Sequence, residues 1–138
     1  AAMYGGAFHG GTIFEGFPPA TPDGAWGGAL LHSFTGFADG YYPTGSFVFD
    51  NAGNFYGAAL YGGANPNCSS ANCGTLFKEI PPATANDSWR WALQWSFTGG
   101  ADGEIPGLPI FDAAGTTLYS TTFGGGVGGG GTIFKLTP

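Results

Sequence analysis

The sequence predicts an all-β fold of tandem four-stranded antiparallel units, either propeller-like blades or an open β array. The first observation is a repeat, because Gly-Thr-Ile-Phe at 11–14 returns as Gly-Thr-Leu-Phe at 74–77 and as Gly-Thr-Ile-Phe at 131–134. The second is composition: 28 of 138 residues are glycine, 17% are aromatic and only 9% are charged. The third is the lack of any helical period, which the glycine and proline density would interrupt.

The first two strands of each copy are defined by apolar and β-branched residues. The first strand should end at a Pro-Pro pair, because proline cannot donate to a strand ladder. Along the second strand of the second copy, aromatic and apolar residues alternate with smaller or polar ones, which predicts three indoles on one face. The first and second strands are predicted at 12–15 and 29–34 in the first copy and at 75–78 and 92–97 in the second.

The third and fourth strands are predicted to form a hairpin. Asp50 and Asp112 begin the turn, where a carboxylate can accept backbone N–H groups, and a glycine three residues later supplies the positive φ. The fourth strand then leads through a glycine-rich loop into the next copy. The two strands are predicted at 46–49 and 55–59 in the first copy and at 108–111 and 118–122 in the second.

The repeat divides the chain into two copies and a partial third. Copy 1 spans 1–57 and starts with the end of a preceding fourth strand, copy 2 spans 58–120 with an insertion at 64–73, and 121–138 begins the next blade. Propellers close with about four to eight blades, so this chain is not expected to close by itself. We expect it to join further copies in tandem, in a ring or in a fibre, through open strand edges.

Charge excludes one class of partner. The net charge is −6, and the fixed cations are Lys78, Arg90 and Lys135. Nucleic-acid binding needs cations against phosphates, so no nucleic-acid partner is expected. No apolar run approaches the ~18 residues of a membrane helix, so no membrane span is expected in this segment.

The insertion contains both cysteines. Cys68 and Cys73 lie in a loop about six residues (63 − 57) longer than its counterpart in the third copy. We expect a local disulfide, which implies an oxidising compartment, with a metal pair and free thiols as alternatives. Asn67 and Asn86 begin tripeptides of the N-glycosylation pattern, which agrees with secretion.

Asp39 and Asp102 occupy matching Ala-Asp-Gly motifs. The favoured interpretation is a turn residue whose carboxylate accepts backbone N–H groups. Calcium binding is the alternative, although Ca²⁺ takes six to eight oxygens and only Glu104 adds an acid nearby. No other cofactor is expected.

Tryptophan provides the main candidate for ligand binding. Trp89, Trp91 and Trp95 lie in the alternating stretch around the second strand of copy 2, and Trp26 matches Trp89 in copy 1. Alternating aromatics on one strand face pack adjacent blades, and this is the favoured interpretation. Stacking on sugar rings, as in a lectin, is the alternative.

No catalytic constellation stands out. Glycoside hydrolysis needs two carboxylates about 5 to 9.5 Å apart. Glu15 stands where the other copies have lysine, and neither Glu79 nor Glu104 has an evident partner. His32 takes a position that is tryptophan in the second copy, so packing is favoured over metal ligation. We therefore expect no enzyme, and a secreted hydrolase on a propeller scaffold is the last alternative.

The combined motifs resemble the GloVer tandem repeat of bacterial surface proteins that carry varied C-terminal anchors. The resemblance covers nearly the whole chain and departs from the pattern at the 64–73 insertion and at 116–117, where asparagine is usual. It implies an extracellular or cell-surface protein and carries over no catalytic residue. The matching stretches are 31–36, 38–40, 49–57 and 131–138, with second copies at 95–103 and 111–119.

The sequence therefore favours a non-catalytic extracellular or cell-surface structural protein. Its expected interaction is self-association or contact with tandem copies of the same repeat, which leads to an array, a ring or a filament. The first alternative is a carbohydrate-binding propeller module with glycans as partners.

Overall fold

The structure, a computed structural model, describes residues 1–65, 73–84 and 86–138. All regular elements among these residues are strands, so the predicted all-β class is confirmed. The described strands form separate antiparallel sheets and close neither a barrel nor a propeller, as expected for an open array. The strands are β1 (Thr12–Phe17), β2 (Gly27–Ser33), β3 (Tyr41–Pro43), β4 (Val48–Phe49), β5 (Phe55–Tyr61), β6 (Thr75–Ile80), β7 (Arg90–Ser96), β8 (Glu104–Pro106), β9 (Ile110–Phe111), β10 (Leu118–Gly124) and β11 (Ile133–Leu136).

The strands are organised in three sheets. The N-terminal sheet contains β1 and β2, and an isolated bridge from Ala2 to Thr12 lies on the other edge of β1. The central sheet has the order β3-β5-β6-β7, with β4 also paired to β5. The C-terminal sheet has the order β11-β10-β8, with β9 also paired to β10.

The central and C-terminal sheets each take their strands from two consecutive copies of the repeat. In the central sheet, β5 of copy 1 pairs with β6 of copy 2, from Phe55 opposite Glu79 to Ala59 opposite Thr75. The sequence boundary at 57/58 therefore falls inside β5. The first strand of a copy pairs with the fourth strand of the copy before it, as β6 pairs with β5 and β11 with β10.

The third strand of each copy is split into two short pieces. The pieces β3 and β8 lie upstream of the predicted third strands, and each contains a non-glycine residue with positive φ, Tyr42 at 59° and Ile105 at 56°. The amide of Tyr42 donates to the carbonyl of Gly10 at 2.8 Å, and the amide of Ile105 donates to that of Cys73 at 2.9 Å. These bonds connect adjacent sheets at matching positions.

A β-bulge lies in each second strand. In β7, Trp95 is opposite Leu76 and Leu93 is opposite Phe77, so one extra residue intervenes on β7. Because a bulge reverses which face the following side chains take, Trp91 and Trp95 lie on opposite faces of the central sheet. The prediction of three indoles on one face is therefore wrong.

The sheets pack face to face and enclose two cores. The same edge-to-face phenylalanine pair occurs in both: Phe34 and Phe77 have ring centroids 5.3 Å apart, and Phe97 and Phe134 have theirs 5.1 Å apart. The first core lies between the N-terminal and central sheets and contains Ile13, Phe34, Phe55, Ala59 and Phe77. The second lies between the central and C-terminal sheets and contains Ala58, Cys73, Leu76 and Phe97, with Phe134 and Leu136 packed against it.

Candidate assembly and binding surfaces

The outer face of the C-terminal sheet exposes residues that are buried at matching positions of the central sheet. Ile133 is 84% exposed, whereas Leu76, which holds the same place in the Gly-Thr-(Ile/Leu)-Phe motif, is 2% exposed. Tyr119 is 41% exposed, whereas its counterpart Tyr56 is 2% exposed. We call the residues Ile110, Tyr119, Phe123 and Ile133 the C-terminal outer face.

The N-terminal sheet has the complementary type of exposed face. Phe14 and Leu30 are opposite each other on β1 and β2, and both are exposed. Phe77, which holds the position of Phe14 in the second copy, is fully buried. We call Phe14 and Leu30 the N-terminal outer face. Apolar surface of this kind on a sheet normally marks an interaction site.

The two Ala-Asp-Gly motifs form the same turn. The Asp39 carboxylate accepts hydrogen bonds from the Thr35 amide at 2.9 Å and from the Thr35 hydroxyl, and it lies 3.1 Å from His32 Nε2. The Asp102 carboxylate accepts from the Thr98 amide at 3.1 Å, from the Thr98 hydroxyl and from Trp95 Nε1 at 3.3 Å. Both carboxylates therefore have the turn geometry that the sequence favoured.

The calcium alternative for Asp39 and Asp102 stays a prediction. Within 1–65, 73–84 and 86–138, no group of three or more His, Cys, Asp or Glu side chains is placed to hold a metal ion. Each carboxylate is already engaged by protein donors, so calcium would have to share or displace them.

The predicted hairpin turns at Asp50 and Asp112 have the expected contacts. Asp50 Oδ1 accepts from the amides of Ala52 and Asn54, each at 2.9 Å. Although partial burial tends to raise the pKa of Asp50, hydrogen bonds from Asn54, Tyr56 and Ala52 lower it below its usual value. Backbone hydrogen bonds from Thr116, and then from Thr117, lower the pKa of Asp112 in the same way.

The three candidate indoles lie in two different places. Trp89 and Trp91 pack against the first core. Trp91 also stacks on the ring of His32, with centroids 5.2 Å apart and planes 14° apart. Trp95 is 47% exposed and lines a groove of about 220 Å³ between the central and C-terminal sheets. Of the three, only Trp95 presents a substantial ring surface to solvent.

Glu79 is a buried carboxyl for which the sequence predicts no role. It is fully buried on β6, opposite Phe55 and Trp91, and neither carboxylate oxygen has a hydrogen-bond partner among the described residues. Burial raises the pKa of Glu79 to about 7. The matching residues in the other copies, Gly16 and Leu136, are uncharged, so Glu79 is the charged exception at this position of the repeat.

His32 lies in the same interface and stacks on Trp91, the residue opposite Glu79. Burial lowers the pKa of His32, and the hydrogen bond and charge of Asp39 oppose that shift without cancelling it. The ring therefore favours its neutral form at pH 7. Its role here is packing, in agreement with the sequence interpretation.

The remaining residues that the sequence singled out belong to neither outer face. Cys73 is 3% exposed in the second core, and its predicted disulfide partner Cys68 lies outside the described residues. Asn67 also lies outside them, whereas Asn86 is exposed. Glu104 lies on β8. The described part of the chain holds no helix that could pass through a lipid bilayer.

Comparison with known proteins adds no relative. The sequence matches no protein-family model, and neither the curated proteins nor the solved structures contain a match. The resemblance to the GloVer repeat therefore rests on the sequence motifs alone.

Proposed function

We propose that this chain is a non-catalytic structural repeat protein that assembles head to tail with further copies of its repeat. The observation that carries the proposal is the contrast between Leu76, 2% exposed, and Ile133, 84% exposed, at the same position of the repeat. A residue of this type is covered by the next sheet at both internal interfaces. The C-terminal outer face supplies the same surface with no covering sheet among the described residues.

The two outer faces are the two halves of an interface that the chain forms twice internally. Leu76 and Phe97 of the central sheet pack against Phe134 of the C-terminal sheet. Ile133 matches Leu76, so the C-terminal outer face corresponds to the central-sheet side of this interface. Phe14 matches Phe134, so the N-terminal outer face corresponds to the other side. Because the two surfaces differ, the contact between copies is heterologous and leads either to a ring or to a fibre.

The proposed location is the cell surface or the extracellular space. This part of the proposal is supported by the GloVer resemblance and by a composition with few charges and many aromatics. Apolar faces that join copies of a surface protein are consistent with a scaffold or coat.

The test uses single aspartate substitutions on each outer face. Sedimentation velocity and negative-stain microscopy of the wild type should show assemblies that grow with concentration. Ile133→Asp and Phe14→Asp should each abolish that growth, because each places a charge in an apolar contact. Val127→Asp is the matched control, since Val127 is fully exposed in the glycine-rich loop and lies on neither outer face.

Mixing the two face variants tests the head-to-tail geometry. Each variant keeps one intact face, so an equimolar mixture should form a 1:1 dimer that grows no further. Circular dichroism melting of each variant checks that the fold is kept. A wild type that remains a monomer at high micromolar concentration would contradict the proposal, and so would a mixture that forms no dimer.

Carbohydrate binding is the second candidate, and one observation favours it. Trp95 exposes its ring beside the Asp102 carboxylate in the 220 Å³ groove, which is an arrangement suited to a sugar. A glycan array read with the wild type and with Trp95→Ala tests this candidate, and an array without Trp95-dependent signal counts against it.

A further inference from the structure

The strand β11 has one partner, although the matching strand of the central sheet has two. β6 pairs with β5 on one edge and with β7 on the other. β11 pairs with β10, and its other edge has no strand beside it within the described residues. A free strand edge presents unpaired backbone N–H and C=O groups, which can bind an extended segment by strand addition.

The groove that contains Trp95 opens between β7 and β11. Its floor is apolar, formed by Leu76, Phe97, Phe134 and Leu136. The Trp95 indole is held in place by its hydrogen bond to Asp102. The free edge of β11 and the exposed indole thus belong to one surface.

The first interface shows what occupies the matching place. There, His32 takes the repeat position of Trp95 and has the matching contact with Asp39. The ring of Trp91, carried on β7 of the next sheet, stacks on His32. At the second interface no ring contact involves Trp95 among the described residues.

We propose that the free edge of β11 and the groove at Trp95 bind an extended segment from another copy of the repeat. The segment pairs antiparallel with β11 and stacks an aromatic side chain on Trp95. This inference rests on the proposed assembly and names the segment that one copy recognises in another.

The register of the bound segment follows from the central sheet. Trp91 lies opposite Glu79 on β6, and Leu136 holds the position of Glu79 on β11. The aromatic residue of the bound segment therefore lies opposite Leu136. The segment that meets this requirement is of the β7 type, because the matching position of β2 is Gly28.

The experiment measures binding of a labelled synthetic peptide with the sequence of residues 88–97 by fluorescence anisotropy. The protein carries Phe14→Asp, which lies on β1 and leaves the groove intact, so that assembly does not compete. We expect saturable binding that weakens by about fivefold or more with Trp95→Ala, or with the peptide carrying Trp91→Ala. Trp95→His should restore most of the affinity, since histidine holds this position in the first copy. Trp26→Ala is the control substitution and should leave affinity unchanged.

The outcomes separate this inference from the proposed assembly. If the peptide binds but the wild-type chain never assembles, the proposed binding groove is supported and the proposed head-to-tail assembly is wrong. If the wild type assembles but does not bind the peptide, the proposed binding in the groove is wrong, and contact between the outer faces alone explains the assembly. Equal binding of the Trp91 and Trp91→Ala peptides, or binding of glycans instead of peptide, would also overturn it.

Discussion

The two sheet interfaces share a phenylalanine pair and a turn but differ in what lies beside them. At the first interface, Trp91 covers His32, and the neighbouring position on β6 is the buried Glu79. At the second, Trp95 is exposed, and the position that matches Glu79 is Leu136. The second strand of the central sheet, β7, therefore completes the first interface. Among the described residues the C-terminal sheet has no strand in that place, and the second interface contains a groove there.

The largest expected effect on the free energy of unfolding is at Phe77, which is fully buried, compared with its partly exposed counterpart Phe134. Phe77→Ala should lower the free energy of unfolding by about 3–5 kcal/mol, because Phe77 is fully buried and its removal leaves a cavity. Phe134→Ala removes the matching ring at the open interface and should cost less, about 1–3 kcal/mol. Urea denaturation of both variants measures this, and equal losses would mean that the second interface is as closed as the first.

The next effect concerns Glu79 and pH. The raised pKa of about 7 means that the folded protein keeps a proton that the unfolded chain loses near 4.5. The free energy of unfolding should therefore fall as pH rises from 4.5 to 7, by at most about 3 kcal/mol, and level off above that. Glu79→Gln removes this dependence, and urea midpoints between pH 4.5 and 8 compare it with the wild type.

His32 provides the opposite slope in the same interface. Because its pKa is lowered from 6.5, its contribution to stability is present above pH 6.5 and is lost as pH falls from 6.5 through the lowered pKa of the folded protein. The difference between wild type and Glu79→Gln isolates the carboxyl, since both keep His32. If that difference does not change with pH, Glu79 is ionised or hydrogen-bonded in the folded protein.

The smallest effect compares the two Asp turns. Asp39 is buried to 8% exposure and faces His32, so Asp39→Ala should lower the free energy of unfolding by about 1–3 kcal/mol. Asp102 is more exposed, and Asp102→Ala should cost under about 1 kcal/mol. Thermal melts in calcium and in EDTA test the calcium alternative, which predicts a stabilisation by calcium that Asp39→Ala and Asp102→Ala each reduce.

Much of the fold was predictable from short-range patterns. The strands around Ile13 and Phe77 follow from β-branched and aromatic runs, and the turns at Asp50 and Asp39 follow from local carboxylate-to-amide bonds. The location of Trp95 was not predictable from its alternation with Trp91, because a single extra residue in β7 reverses the face. The burial of Glu79 was not predictable from the sequence, because the matching residues Gly16 and Leu136 are not buried.

The sequence by itself determined the all-β class, the repeat and the hairpin turns, because these depend on local propensity and on the spacing of apolar side chains. Only the tertiary structure decided which strands share a sheet and which face each side chain takes, since pairing and bulges depend on contacts between distant segments. It also decided that Ile133 and Phe14 are exposed where their counterparts are buried. The burial of a side chain depends on the sheet that packs against it, so residues at the same position of the repeat differ in burial where the neighbouring sheet differs.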